Sequence, residues 1–191
     1  MRLRAEHPDW WNAPVPAFGD PEAWLAIVGL APGRKGANRT GRPFTGDDAG
    51  PLLFNTLRHF GLSAGDYQAR PDDGVTLTGC IILNGVKCVP PGNLPTPAET
   101  AACRPFYEAA LPLLPKIRVF VALGGIAHKL AVRTAGGRLS AYTFAHLAEH
   151  RLPDGRILLD SYHCSRYNQN TGRLTPAMFE AVFARALELK D

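Results

Sequence analysis

Trp24-Leu25-Ala26-Ile27-Val28-Gly29-Leu30-Ala31-Pro32-Gly33 is a short apolar run that empties into a turn of glycine and proline. A run of this length without polar alternation reads as a strand buried on both faces of a parallel sheet. Cys80 to Val86, Val119 to Leu123 and Ile157 to Tyr162 have the same character. Helical patterns lie between and after them. Pro51 suits the first turn of a helix that carries Leu52, Leu53, Leu57 and Phe60 and stops at Gly61. Thr96-Pro97-Ala98-Glu99 has the spacing of a capping box and opens a helix toward Leu111. Gly124-Gly125 starts a helix to about Arg133, and Pro176 starts the last, through Leu187. Strands alternating with helices predict an α/β fold, three layers α/β/α around a central, mostly parallel four-stranded sheet.

The 191 residues fit one domain spanning 1–191, with residues 1–20, rich in Pro and Trp, as an extended arm. Thr134 to Ala148 shows no clean period. Apolar residues are 46% and charged residues 20%, enough core to exclude global disorder. No apolar run is long enough to span a bilayer, and no secretion signal opens the chain, so a cytoplasmic protein without a membrane partner is expected. Four cysteines then suggest thiols or metal ligands before disulfides. A net charge of +4 permits a nucleic-acid partner.

In an open α/β sheet, ligands bind beyond the carboxyl ends of the strands. Those ends carry the unusual residues here: Ala31 to Asp47 after the first, Asn84 to Asn93 after the second, Gly124-Gly125 after the third and Ser161 to Ser165 after the fourth. An aromatic, an amide and an imidazole at one sheet edge suit a pocket for a flat heterocycle. Each has a plainer reading. Phe44 fits a core, Asn84 fits a cap or turn about as well as a ligand, and His163 alone fits a strand-end cap. The glycine-rich loop lacks the dinucleotide and Walker signatures. Co-location is what favours a site.

At these residues the chain resembles the family 5 (type b) uracil-DNA glycosylases. Gly29-Leu30-Ala31-Pro32-Gly33 with Asn38-Arg39-Thr40-Gly41-Arg42-Pro43-Phe44-Thr45-Gly46-Asp47 is similar to their first motif. Ser161-Tyr162-His163 with Ser165, Asn168 and Thr171-Gly172-Arg173-Leu174-Thr175 is similar to their histidine motif. Asn84 to Asn93 and Cys103-Arg104-Pro105-Phe106 match the region between.

The resemblance implies hydrolysis of the N-glycosidic bond of uracil, hypoxanthine or xanthine flipped out of DNA, leaving an abasic site. His163 and Asn84 become the catalytic pair, one donating to the leaving base, the other positioning water or the base edge. Ala31, Gly33, Phe44 and Asn38 become substrate-binding residues, with Phe44 stacking on the base. Arg166, Tyr167, Asn168 and Arg173 are expected to meet DNA, and Arg34, Lys35, Arg39 and Arg42 to meet phosphates. Ala31 offers no polar atom to orient water, which implies a dissociative path driven by leaving-group stabilisation. A noncatalytic DNA-binding relative that kept the fold is the competing expectation. A monomer is expected.

Family members carry a [4Fe–4S] cluster on four cysteines. Cys88 and Cys103 match two of those positions, and no early Cys-x-x-Cys precedes them. Cys80 lies a strand away from Cys88, roughly 26 Å at about 3.3 Å per residue. Cys164 stands beside His163, where the family has proline. The expectation is an absent or incomplete cluster and no other cofactor.

Overall fold

The computed structural model describes residues 2–190; Met1 and Asp191 lie outside the described residues. Its helices are α1 (Arg2–Glu6), α2 (Ala37–Thr40), α3 (Gly50–His59), α4 (Pro97–Ala110), α5 (Gly125–Thr134), α6 (Arg166–Asn170) and α7 (Pro176–Glu188). Its strands are β1 (Phe18–Gly19), β2 (Leu25–Gly29), β3 (Ser63–Ala64), β4 (Thr76–Leu77), β5 (Cys80–Asn84), β6 (Val119–Leu123), β7 (Glu149–Arg151) and β8 (Ile157–Ser161).

The main sheet has the order β1-β5-β2-β6-β8-β7. Its four inner strands are parallel, Ile27 sitting between Ile82 and Val121, and Val121 facing Leu159. The expected four-stranded sheet is therefore corrected to six strands by two antiparallel edges, β1 and β7. Neither edge carries an apolar run: β1 is two residues long and β7 reads Glu-His-Arg. Backbone pairing alone makes them strands, and composition does not announce that.

Successive side chains along the inner strands enter opposite faces, as the pleat requires. Leu25, Ile27, Ile82, Val121 and Leu159 join α3 and α7 in one core through Leu53, Leu57, Phe179 and Phe183. Ala26, Val28, Ile81, Leu83, Phe120 and Leu158 join α4 and α5 in the other through Tyr107, Leu130 and Val132. The Thr96–Glu99 capping box forms as the spacing predicts. Residues 2–20 are a partial correction. They begin as α1, end in β1, and hydrogen-bond to the loop after β2 through Trp11 N to Arg39 O and Asn12 N to Asn38 O. Among the described residues no helix is long and apolar enough to cross a membrane.

Candidate active site

The carboxyl ends of β2, β5, β6 and β8 frame a cavity of about 350 Å³ lined by Ala31, Gly33, Phe44, Asp47, Asn84, Gly124 and His163, among others. A volume of this order admits a single base. Gly29 ends β2 without a side chain, and a Cβ there would fall 2.5 Å from Asn84 Oδ1 and 3.1 Å from the Phe44 ring. Glycine is thus what lets the amide and the ring share one cavity.

Phe44 is held in an unusual backbone conformation, φ 52°. That region is uncommon for a residue with a Cβ and needs support from its surroundings. Tyr67 supplies it by donating its hydroxyl to the Phe44 carbonyl at 3.0 Å, while its ring stacks on Phe54. Arg42 completes the clamp. Its guanidinium makes two 2.7 Å bonds to Asp73, donates to Thr45 Oγ1 at 2.7 Å and lies over the rings of Phe18, Phe54 and Tyr67. The guanidinium in turn holds the Asp73 carboxyl far below the usual carboxylate range. Arg42 is therefore corrected from a phosphate contact to a buried structural cation. Two fixed bonds to one carboxylate in a buried place leave it little to offer a ligand. Arg34, Lys35 and Arg39 stay exposed.

Asn84 is 4% exposed, and no group among the described residues takes its amide, which faces the cavity. A buried amide left open is costly unless a ligand or water meets it. His163 is in the same position. Neither of its ring nitrogens has a partner among the described residues, and burial pushes its pKa below the ordinary histidine value. At neutral pH the ring is thus an uncharged imidazole with one N–H to give and one lone pair to receive. Its centroid lies 6.0 Å from that of Phe44.

The histidine is aimed by the short helix that follows it. Ser165 caps α6, Asn168 Nδ2 donates to the His163 carbonyl at 2.8 Å, and Gln169 Nε2 donates to the Cys164 carbonyl at 2.7 Å. Asn168 thus braces the His163 backbone while its side chain stays half-buried. Tyr167, 72% exposed, and Arg166 do face outward. Arg173 is exposed, its guanidinium stacked 4.6 Å from the Tyr162 ring centroid.

Asn38 is not among the residues lining this cavity. It bonds Asn12 Oδ1 at 3.0 Å and lines a larger groove of about 820 Å³ between residues 3–14 and the Cys88–Gly92 turn. Asp47 is the residue that the sequence reading passed over. Its Oδ1 accepts from Ala49 N at 3.1 Å, and its Oδ2 lies where a Cβ on Gly36 would be, 2.4 Å away. Burial pushes its carboxyl above the usual range. The signal was present in the motif run as its one carboxylate inside the glycine-rich loop, but linear spacing did not show that it folds back on Gly33 and Gly36.

The cysteines separate into two pairs. Cys80 and Cys164 are buried, Cys80 bonds the Leu62 carbonyl, and burial pushes its thiol up to about 12. Cys164 sits in the core beneath His163 and its thiol is pushed up further. Cys88 and Cys103 are accessible, and partial burial together with the neighbouring Cys103 raises the Cys88 thiol above its ordinary value. Two accessible thiols do not make the four-thiolate donor set of a [4Fe–4S] cluster, so the described residues do not fit that group.

A model of the uracil DNA glycosylase superfamily matches residues 16–187. The chain belongs to this superfamily. It is 49% identical to a type-5 uracil-DNA glycosylase of Thermus thermophilus, over 94% of this chain and 82% of the relative. It is 42% identical to the type-5 enzyme of Mycobacterium tuberculosis, over 98% and 70%. A type-4 uracil-DNA glycosylase of Thermotoga maritima is 38% identical over 57% of the chain and 49% of the relative. The superfamily match runs through both walls of the cavity, from the Ala31–Asp47 loop to His163.

Proposed function

We propose that this chain hydrolyses the N-glycosidic bond of uracil in DNA, and of hypoxanthine and xanthine, leaving an abasic site. One observation carries the reading: a half-buried imidazole and a buried amide, both without partners among the described residues, face one base-sized cavity with an aromatic ring between two protein walls. A base can enter such a cavity only if its nucleotide leaves the duplex stack.

Phe44 stacks on the base whatever its identity. As the glycosidic bond breaks, negative charge collects on the base carbonyl, and the neutral His163 donates to it. A donor fixed in place before the reaction contributes more in a dry cavity than in water, typically a few kcal/mol. Asn84 orients the base edge or the attacking water. Ala31 gives no polar atom, but the Asp47 carboxylate enters the same cavity from the far end of the loop and takes part in positioning water. Its raised pKa keeps it basic enough to accept the proton that water releases. Arg166, Tyr167, Arg173 and the exposed cations of residues 34–39 hold the DNA, Tyr167 being the largest exposed side chain near His163. The chain acts as a single-domain cytoplasmic monomer without a complete [4Fe–4S] cluster, and no step above passes through one.

Incubation with a duplex carrying one uracil, followed by alkali, tests the proposal. Strand breaks at uracil are expected, and hypoxanthine and xanthine duplexes extend the test. Tight binding to the uracil duplex with no breaks would favour the noncatalytic reading instead.

A further inference from the structure

Three side chains outside the cavity converge behind the strand that leads to His163. His128 comes from the first turn of α5, His150 from β7 and Asp160 from β8. His128 Nδ1 lies 2.8 Å from Asp160 Oδ1, and His150 Nε2 lies 3.1 Å from Asp160 Oδ2. The three donor atoms fall within 4.8 Å of one another. Their side chains are 3%, 14% and 0% exposed.

The other nitrogen of His128, Nε2, lies 3.0 Å from the Tyr142 carbonyl. A carbonyl oxygen only accepts, so Nε2 carries the hydrogen. In a neutral ring the Nδ1 lone pair then points at a carboxylate oxygen. Two lone pairs cannot face each other at that distance in a buried place. A cation, either a proton or a metal ion, must lie between them.

Two features favour a metal ion. A histidine that gives one N–H to a backbone carbonyl and turns its other nitrogen to a shared point has the arrangement of a metal ligand. Two imidazoles and a carboxylate from separate elements also form a zinc donor set, and the 2.8 and 3.1 Å separations must open by only a few tenths of an ångström to reach the roughly 3.3 Å between tetrahedral ligands. We propose that His128, His150 and Asp160 bind one zinc ion. The second Asp160 oxygen, or a water reaching past the less buried His150, fills the fourth position. The ion staples α5 and β7 to β8 and fixes residues 142–151, whose Phe144 packs edge-on against His128 and lies under Gly125 at the cavity rim.

The test is metal content in the full chain carrying Cys88→Ser and Cys103→Ser, so that thiols do not contribute. After passage through a weak chelator, mass spectrometry should find one zinc per chain. Cobalt in its place should give tetrahedral d–d bands without thiolate charge transfer. Asp160→Asn should bring the metal to background, and His150→Gln, at the less buried strand, should do the same if Asp160→Asn fails to fold. Each should weaken zinc binding at least about 100-fold, beyond the 10–100-fold typical of losing an outer partner. Added zinc should raise Tm in the parent and not in these variants. No zinc above background after incubation overturns the proposal. So does a nitrogen-15 spectrum, taken with zinc present, in which both His128 ring nitrogens carry hydrogen, since a proton then fills the gap.

Discussion

The two walls of the cavity are built by different means. The wall from Gly29 to Asp47 is backbone and clamp: a glycine that admits the Asn84 amide, a strained Phe44 and a buried Arg42–Asp73 pair that holds the loop. The wall from residue 142 to 163 is histidine. His146 accepts the Tyr162 N–H at 3.2 Å and stacks on that ring, His128 and His150 grip Asp160, and His163 alone is left open. The first wall shapes the cavity and brings the Asp47 carboxylate to its edge. The second contains the open imidazole on which the chemistry depends. Substitutions in the two walls should therefore fail differently.

The largest effect belongs to the second wall. His163→Ala should lower kcat on uracil about 10²–10³-fold, as losing a preorganised donor does elsewhere. Affinity for an abasic duplex should persist, because the DNA grip lies on other side chains. Equal loss of turnover and product binding would place His163 in DNA binding instead.

Phe44→Ala should weaken capture of uracil, hypoxanthine and xanthine alike, by about 1–3 kcal/mol, because stacking ignores base identity. Binding to abasic sites should hardly change. A folded variant with unchanged kcat/KM would make Phe44 a core residue only.

Asp47→Asn separates function from stability. The Asp47 carboxyl is raised above its ordinary 3.8, so between that value and its raised value the folded chain binds more protons than the unfolded one. Stability from this group is present at low pH and is lost as pH rises through the folded pKa. The amide should therefore lower kcat while raising Tm at neutral pH, a gain that disappears under acid. A variant less stable than the parent at pH 7 would show that its bond to Ala49 N outweighs the cost of the charge.

The smallest effect tests the clamp. Tyr67→Phe keeps the stack on Phe54 and removes one hydrogen bond to the Phe44 carbonyl, worth about 0.5–1.5 kcal/mol. KM should rise with little change in kcat, since the ring would be misplaced and the histidine would not. A fall in kcat alone would break the division between the walls.

What sequence could show follows the same division. The four inner strands were legible because burial on both faces demands continuous apolar runs, and the capping box because its four residues are local. The edges β1 and β7 were not, since a strand held by backbone pairing needs no composition of its own. Thr134 to Ala148 lacked a period because side-chain bonds, from His128 to the Tyr142 carbonyl and from the Tyr162 N–H to His146, hold it in place more than a regular element does. Phe44, Asn84, His163, Ala31 and Gly33 come together at one cavity, as expected from their places at strand ends. The partners of Arg42, Asn38 and Asn168 were not legible for one reason: a polar side chain looks the same in sequence whether its partner is solvent, DNA or another residue of the chain. Arg42 finds Asp73, Asn38 finds Asn12, and Asn168 turns back on His163.

The central claim is that a free base lies between His163, Asn84 and Phe44. Titrating uracil into the nitrogen-15-labelled chain tests it most directly. The His163 ring nitrogen resonances and the Asn84 side-chain amide should shift together and saturate at one uracil per chain, with the Asn38 amide unmoved. Shifts confined to Asn38 and the groove beside Cys88, with His163 unchanged, would contradict it.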